Sequence, residues 1–182
     1  MKTVLRGGIL ALLLVLVGCA TEVETGGYVP TRAEQQLVLL IEKRLTYAFD
    51  VAWFKYPRRL PIQDPEREAA ILQSLTARSG SLPVSSARVT QFFTAQMAAS
   101  REFQSEIIHA WNQGTAQPRS QPVDLAKEIR PRLDAINQEM LQLLANPEVR
   151  LSPQLMNYAY GFLRSREYSP NVAHTASLPL KG

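Results

Sequence analysis

The stretch Arg44–Arg67, RLTYAFDVAWFKYPRRLPIQDPER, decides how the rest of this 182-residue chain is read. At about 100° per residue, the eleven positions from Arg44 to Lys55 carry a helix through about three turns plus 20°, so both side chains leave the same face. That face is otherwise apolar, with Leu45, Ala48, Val51, Ala52 and Phe54 at the neighbouring positions. The two cations therefore interrupt or flank a buried stripe, and a buried cation requires an anion. Each taken singly is explained as well by a snorkelling side chain with its head in water. The pattern then breaks at Tyr56-Pro57, runs through Leu60-Pro61-Ile62 and restarts at Asp64-Pro65, an N-cap acceptor followed by proline at the first helical position. Arg67 falls in that first turn, where the helix dipole disfavours a cation. It is expected to serve some other partner.

Downstream, the spacing predicts a second helix from Pro65 to about Arg78, ending at Gly80, with Ala69, Leu72 and Leu75 on its core face and Ile71 beside them. A third runs from about Ser85 to Trp111 and is the most periodic part of the chain. Val89, Phe92, Phe93, Met97, Phe103, Ile107, Ile108 and Trp111 form one apolar stripe. Gln96, Ser100 and Gln104 stand in the same stripe, four residues apart. Each costs about 1–3 kcal/mol if buried without a partner, so partners are expected. Gly114–Pro122 reads as a loop. A fourth helix begins near Asp124 with Leu125, Ile129, Leu133, Ile136, Met140 and Leu144 at core spacing, and Pro131 is expected to kink it or mark a restart. A shorter helix after Ser152-Pro153 carries Leu155, Tyr158, Ala159, Phe162 and Leu163, and residues 169–182 read as a flexible tail. No alternating strand pattern and no repeat occurs, so the fold class is all-α, a single-domain helical bundle over residues 31–168.

Upstream, residues 1–19 have the form of an export signal, with Lys2 and Arg6 before the apolar run Ile9–Val17, which is too short to span a bilayer stably. Leu16-Val17-Gly18-Cys19 resembles a bacterial lipoprotein signal, which implies lipidation of Cys19 and an anchor on the periplasmic side of the cell envelope. A plain cleaved signal is the alternative. Cys19 is the only cysteine, so no disulfide can form within the chain. Residues 20–30, with Gly26, Gly27 and Pro30, read as a tether. Removing Lys2 and Arg6 with the signal lowers the formal charge from +4 to about +2, and together with export this argues against a nucleic-acid partner.

The polar groups that helical geometry turns inward are the cations Arg44, Lys55, Arg67 and Arg130 and the neutral Ser100 and Gln104. Guanidinium forks bind carboxylates through paired, charge-assisted bonds, so the set suits a small molecule with more than one carboxylate. No histidine lies on these faces, and no serine has a base and an acid at workable spacing, so neither metal nor covalent chemistry is supported. His109 and His174 are expected at the solvated surface.

Four separated blocks agree in order and spacing with one family: Arg44 with Lys55; Leu60-Pro61-Ile62 with Asp64 and Arg67-Glu68; Phe92-Phe93, Gln96-Met97, Ala99-Ser100 and Gln104; and Arg130-Pro131, Leu133-Asp134 and Ile136-Asn137. Over roughly residues 35–145 the chain resembles the exported, all-helical chorismate mutases. The resemblance implies conversion of chorismate to prephenate in one pericyclic step, an isomerisation of the shikimate pathway to aromatic amino acids that uses no cofactor and no metal. It implies that Arg44 and Arg130 clamp the two carboxylates and that Lys55 donates to the breaking ether oxygen and a carboxylate. Gln104 would be the second donor to that oxygen, Ser100 a contact to a carboxylate or hydroxyl, and Asp64 and Arg67 the groups that orient the hydroxyl side of the ring or brace the pocket. Some relatives carry glutamate at the position of Gln104. Some also tie their C-terminal helices with a disulfide, which this chain cannot do. Relatives are commonly dimers, although no stretch here specifies an interface. Two other readings of the residues stay open: a non-catalytic envelope lipoprotein binding a small anionic metabolite, and a purely structural helical lipoprotein.

Overall fold

The computed structural model describes residues 27–117 and 124–182, and all regular structure among them is helical. Helix α1 spans Arg32–Lys55. It opens on a reciprocal cap in which Thr31 Oγ1 accepts from Glu34 N at 3.1 Å and Glu34 Oε2 accepts from Thr31 N at 2.8 Å, satisfying two otherwise orphaned donors. Tyr56–Arg58 tighten into a 3₁₀ turn, and Arg59 takes a left-handed conformation at φ 51°. Helix α2, Pro65–Ser79, starts as its sequence signal requires, with Asp64 Oδ1 accepting from Arg67 N at 3.2 Å. Helix α3, Ser86–Asn112, is capped by Ser85 and is about 40 Å long at 1.5 Å per residue.

Helices α1 and α3 run in the same direction. Arg44, midway along α1, meets Gln96 of α3, and Tyr56, just past the end of α1, meets Asn112 at the end of α3. Between them lie Phe92, Phe93, Leu37, Ile41 and Leu45, joined by Leu75, Met140, Leu155 and Leu163, all fully buried. Each such side chain contributes about 1.5–3 kcal/mol on leaving water. A smaller cluster closes the C-terminal ends of the two helices, where Phe49, Trp53 and Tyr56 surround Trp111 with ring centroids at 5.5, 5.8 and 5.1 Å. It fixes the end of α1 that carries Lys55.

Asp124 caps a five-residue π-helical turn, Leu125–Ile129, accepting from the backbone of Ala126 and Lys127. This turn leads directly into α4, Arg130–Leu144. Of the two outcomes expected at Pro131, a kink or a restart, the structure shows the restart. Pro131 sits in the first turn of α4, where its missing N–H is least costly, and the wider turn before it takes up the change of path. Helix α5 spans Pro153–Ser165.

The expected flexible tail, residues 169–182, is instead part of the core. Helix α6 covers Pro170–Ser177 and a 3₁₀ turn covers Leu178–Lys181. Val172, Ala173, Ala176 and Leu180 have no exposure. They recur at i, i+1, i+4 and i+8, the spacing of one helical face, and Ser169-Pro170 repeats the cap-then-proline signal of Asp64-Pro65 and Ser152-Pro153. The domain thus extends beyond residue 168. Backbone hydrogen bonding of Ser152 N to Leu180 O at 2.8 Å fastens this end. Nor is the whole of 20–30 a free tether: Tyr28 donates to Glu34 at 2.8 Å and packs edge-on against Tyr158. Ala69, expected on the core face of α2, is exposed, whereas Leu75 is buried. Residues 1–26, including Cys19 and the signal, and 118–123, all but the last of them in the expected loop 114–122, lie outside the described residues.

Candidate active site

One end of the bundle, where α1, α2 and α4 converge, holds a cleft of about 90 Å³ lined by Arg44, Lys55, Asp64, Arg67, Arg130 and Asn137. Val51, Ile71, Leu125 and Leu133 supply its apolar wall. Outside it a broader depression of about 440 Å³ shares Lys55, Asp64, Leu125 and Arg130 with the cleft and adds Phe54, Leu60 and Pro61. Four of the lining residues are cations and one is a carboxylate, so the lining carries an excess of positive charge.

Arg44 is the innermost cation, with 6% exposure. Its Nε donates to Asn137 Oδ1 at 3.1 Å and its Nη1 to Gln96 O at 2.8 Å, so the hydrogen bonds that hold it go to neutral acceptors. Burial pushes its pKa down to about 10, opposed by the charge of Glu68. The group remains cationic at neutral pH but has been taken out of water without a directly bonded carboxylate. Lys55 is 8% exposed and donates to Ile62 O at 2.5 Å. Burial lowers its pKa too, and Arg130 adds to that, while Asp64 and Glu68 oppose it. The break at Tyr56-Pro57 makes the Lys55 contact possible, because it folds the Leu60–Ile62 segment back across the end of α1.

The other two cations, Arg67 and Arg130, are 32% and 40% exposed and carry acidic partners. Arg67 Nη2 donates to Asp134 Oδ1 and Oδ2 at 2.5 and 2.7 Å. Arg130 Nη2 meets Asp64 Oδ2 at 3.3 Å, so the N-cap of α2 and the start of α4 touch across the mouth of the cleft. Glu68, one residue beyond Arg67, pairs with Arg101 of α3 at 2.5 Å.

Five of the seven residues singled out for substrate contact, Arg44, Lys55, Asp64, Arg67 and Arg130, therefore meet in one hollow. Ser100 and Gln104 are not among its lining residues. Gln104 is buried on α3. Its Nε2 donates to Ser100 O and Ser100 Oγ at 3.1 and 3.2 Å, one turn back on the same helix. Its Oε1 is buried without a partner. Turning this amide toward the cleft would exchange local bonds for new ones.

Asn137, Asp134 and the backbone carbonyl of Gln96 were not assigned roles from sequence. Asn137 and Asp134 were within reach of it, since Arg130, Asp134 and Asn137 stand at i, i+4 and i+7 on one face of α4. A backbone acceptor carries no residue-type signal. His109 and His174 are exposed.

A family model described as chorismate mutase type II matches residues 31–105. The secreted chorismate mutase of Yersinia pestis is 26% identical over 130 residues, which span 71% of this chain and 69% of that protein. The crystal structure of chorismate mutase from Burkholderia thailandensis is similar with a TM-score of 0.72 at 31% identity, covering 82% of this chain and 99% of that one. The structure of the secreted Yersinia pestis enzyme shares the fold, with a TM-score of 0.65 at 22% identity over 80% of this chain and 94% of that one.

Proposed function

The chain belongs to the chorismate mutase family, a family of all-α isomerases, and from that premise we propose that it rearranges chorismate to prephenate in the cleft between α1, α2 and α4. The observation that carries this reading is Arg44: a buried guanidinium facing the hollow, held by neutral acceptors, with Lys55, Arg67 and Arg130 around the same space.

Chorismate is a dicarboxylate that must be held in a compact, ring-closing conformer while negative charge grows on its ether oxygen. Binding that conformer lowers the entropic part of the barrier. Donors aimed at the ether oxygen lower the rest, because they strengthen only as charge develops. In this site Arg44 and Arg130 clamp the carboxylates from opposite walls. Lys55 lies at the junction of cleft and outer depression, where it can reach a carboxylate and the ether oxygen together. Gln104 is the second donor to that oxygen once its amide leaves Ser100, and Ser100, so released, contacts a carboxylate or hydroxyl. Asp64 and Arg67 orient the hydroxyl side of the ring. The guest enters from the depression, and the 3.3 Å Arg130–Asp64 contact at the mouth is the one that parts to admit it.

Purified protein lacking residues 1–19 is expected to consume chorismate and release prephenate in equal amounts. Binding of chorismate without turnover would replace this reading with that of a metabolite-binding protein. An envelope location is favoured by the signal-like residues 1–19 and by the secreted character of the Yersinia relative. Lipidation of Cys19 is the further proposal there. Cys19→Ser is expected to move the full-length protein from the membrane to the soluble fraction and to abolish labelling by a fatty acid.

A further inference from the structure

Arg67 is held from outside the cleft. Asp134, which receives its Nη2, does not line the catalytic hollow. It lines a second hollow of about 140 Å³ between α2 and α4, together with Ser74 and Arg78. Arg67, Ile71 and Asn137 border both spaces. The arginine is thus part of the wall between them, with its acidic partner on the far side.

A guanidinium has five N–H donors in a fixed fork. Both bonds to Asp134 come from Nη2, which leaves Asp134 no claim on Nη1 or Nε. Asp134 and Arg130 stand at i+4 and i on α4, so the same helix face delivers one cation to the cleft directly and fixes a second through its carboxylate. We propose that Asp134 is a positioning residue for the isomerisation: it fastens Arg67 at the cleft wall so that the free edge of the guanidinium is already directed at the arriving substrate. The inference rests on the assignment of the cleft as the chorismate site.

Asp134 has two effects of opposite sign on a dianionic substrate. Its negative charge repels the guest, whereas its bond to Arg67 removes the cost of ordering a long, flexible side chain during binding. The bond prevails, because the contact is direct while the charge is compensated by Arg67 itself and screened by water at a half-exposed carboxylate.

Steady-state kinetics on chorismate with wild type, Asp134→Ala, Asp134→Glu, Arg67→Ala and the Arg67→Ala/Asp134→Ala pair test this. Asp134→Ala is expected to raise KM roughly tenfold with kcat within about threefold, the scale of one charge-assisted bond. Asp134→Glu is expected to recover part of the loss, and Asp134→Ala to cause no further loss in the Arg67→Ala background, where removing the uncompensated carboxylate can only relieve repulsion. The thermal midpoint of each variant separates misfolding from mispositioning, and should Asp134→Ala fail to fold, Asp134→Asn carries the same expectation. A KM that falls or stays level in a folded variant overturns the inference, as does a full additional loss in the double variant. Wild type without turnover would sink the functional reading and this inference together. Wild type that turns over while the Asp134 variants match it sinks this inference alone.

Discussion

Two regions of the bundle bury polar groups in opposite ways. Where α3 meets α6, Gln96 Nε2 donates to Ala176 O at 2.8 Å, and Val172, Ala173 and Ala176 close around it without exposure. The carboxylates that reach that seam, Glu102 and Glu106, accept from the hydroxyls of Thr175 and Ser169 at 3.0 and 2.6 Å. In the cleft between α1, α2 and α4, the buried groups are cations, and the innermost of them is met by an amide oxygen and a backbone carbonyl rather than a carboxylate. The first arrangement is what a fold needs to hold itself together. The second costs stability, because the innermost cation is taken out of water and bonded by neutral acceptors. Gln96 belongs to both: its side chain ties α6 to α3 and its backbone oxygen holds Arg44.

The contrast is broken most severely by placing charge in the apolar seam. Val172→Asp would bury a carboxylate at a site with no exposure, and a loss of at least about 4 kcal/mol is expected in denaturant unfolding. Unaltered stability would restore residues 169–182 to the status of a loose tail. Next in size, Lys55→Ala is expected to lower kcat by roughly 10²–10³-fold, about 3–4 kcal/mol of transition-state stabilisation, with the fold intact by circular dichroism. A loss confined to KM would mean that Lys55 only binds.

Gln96→Leu separates the two duties of that residue. It leaves Ala176 O without its donor, and a loss of about 1–3 kcal/mol in stability is expected. Turnover should stay within a few-fold of wild type at temperatures where the variant is folded, since Arg44 is held by the backbone. A selective collapse of kcat would show that α6 bears on the chemistry.

Smaller effects come from pH. An amide donates at any pH, so wild type should be nearly flat across neutral pH, whereas Gln104→Glu donates only when protonated and should gain activity as pH falls from 8 to 5. Equal activity at both ends in that variant would remove Gln104 from the ether-oxygen role. On the alkaline side, Lys55 must carry its proton to donate, and its pKa lies below the usual lysine value of about 10.5 because it is buried. Activity should therefore decline at lower pH than a solvated lysine would require. The sign for stability is opposite: the unfolded chain holds that proton more tightly, so the Lys55 contribution to stability rises as pH passes through the folded pKa toward 10.5. A rate that is level up to pH 10.5 would contradict the burial of Lys55.

Much of this was legible in the chain. The α1 cations at an eleven-residue spacing, the Asp64-Pro65 restart and the α3 stripe all emerge as read, because each rests on local geometry: a 3.6-residue period, a cap, a proline that needs no donor. Residues 169–182 carried the same signals, Ser169-Pro170 and the 172, 173, 176, 180 spacing, but eight residues of helix are too few to stand without a partner surface. Their order comes from α3 and α5, which the local pattern does not mention.

By itself, then, the sequence determined helices α1 to α5, most of their buried faces and which residue types were candidates to receive an anionic guest, since those follow from periodicity and chemistry within a turn or two of chain. Only the tertiary structure decided that Arg44 would be held by Asn137 and Gln96 O, that Arg67 would be fastened from behind by Asp134, and that the last fourteen residues would close the core. Those contacts join positions from 52 to 93 residues apart for Arg44 and 67 for Arg67. Packing in three dimensions sets such partners, and no local spacing encodes them.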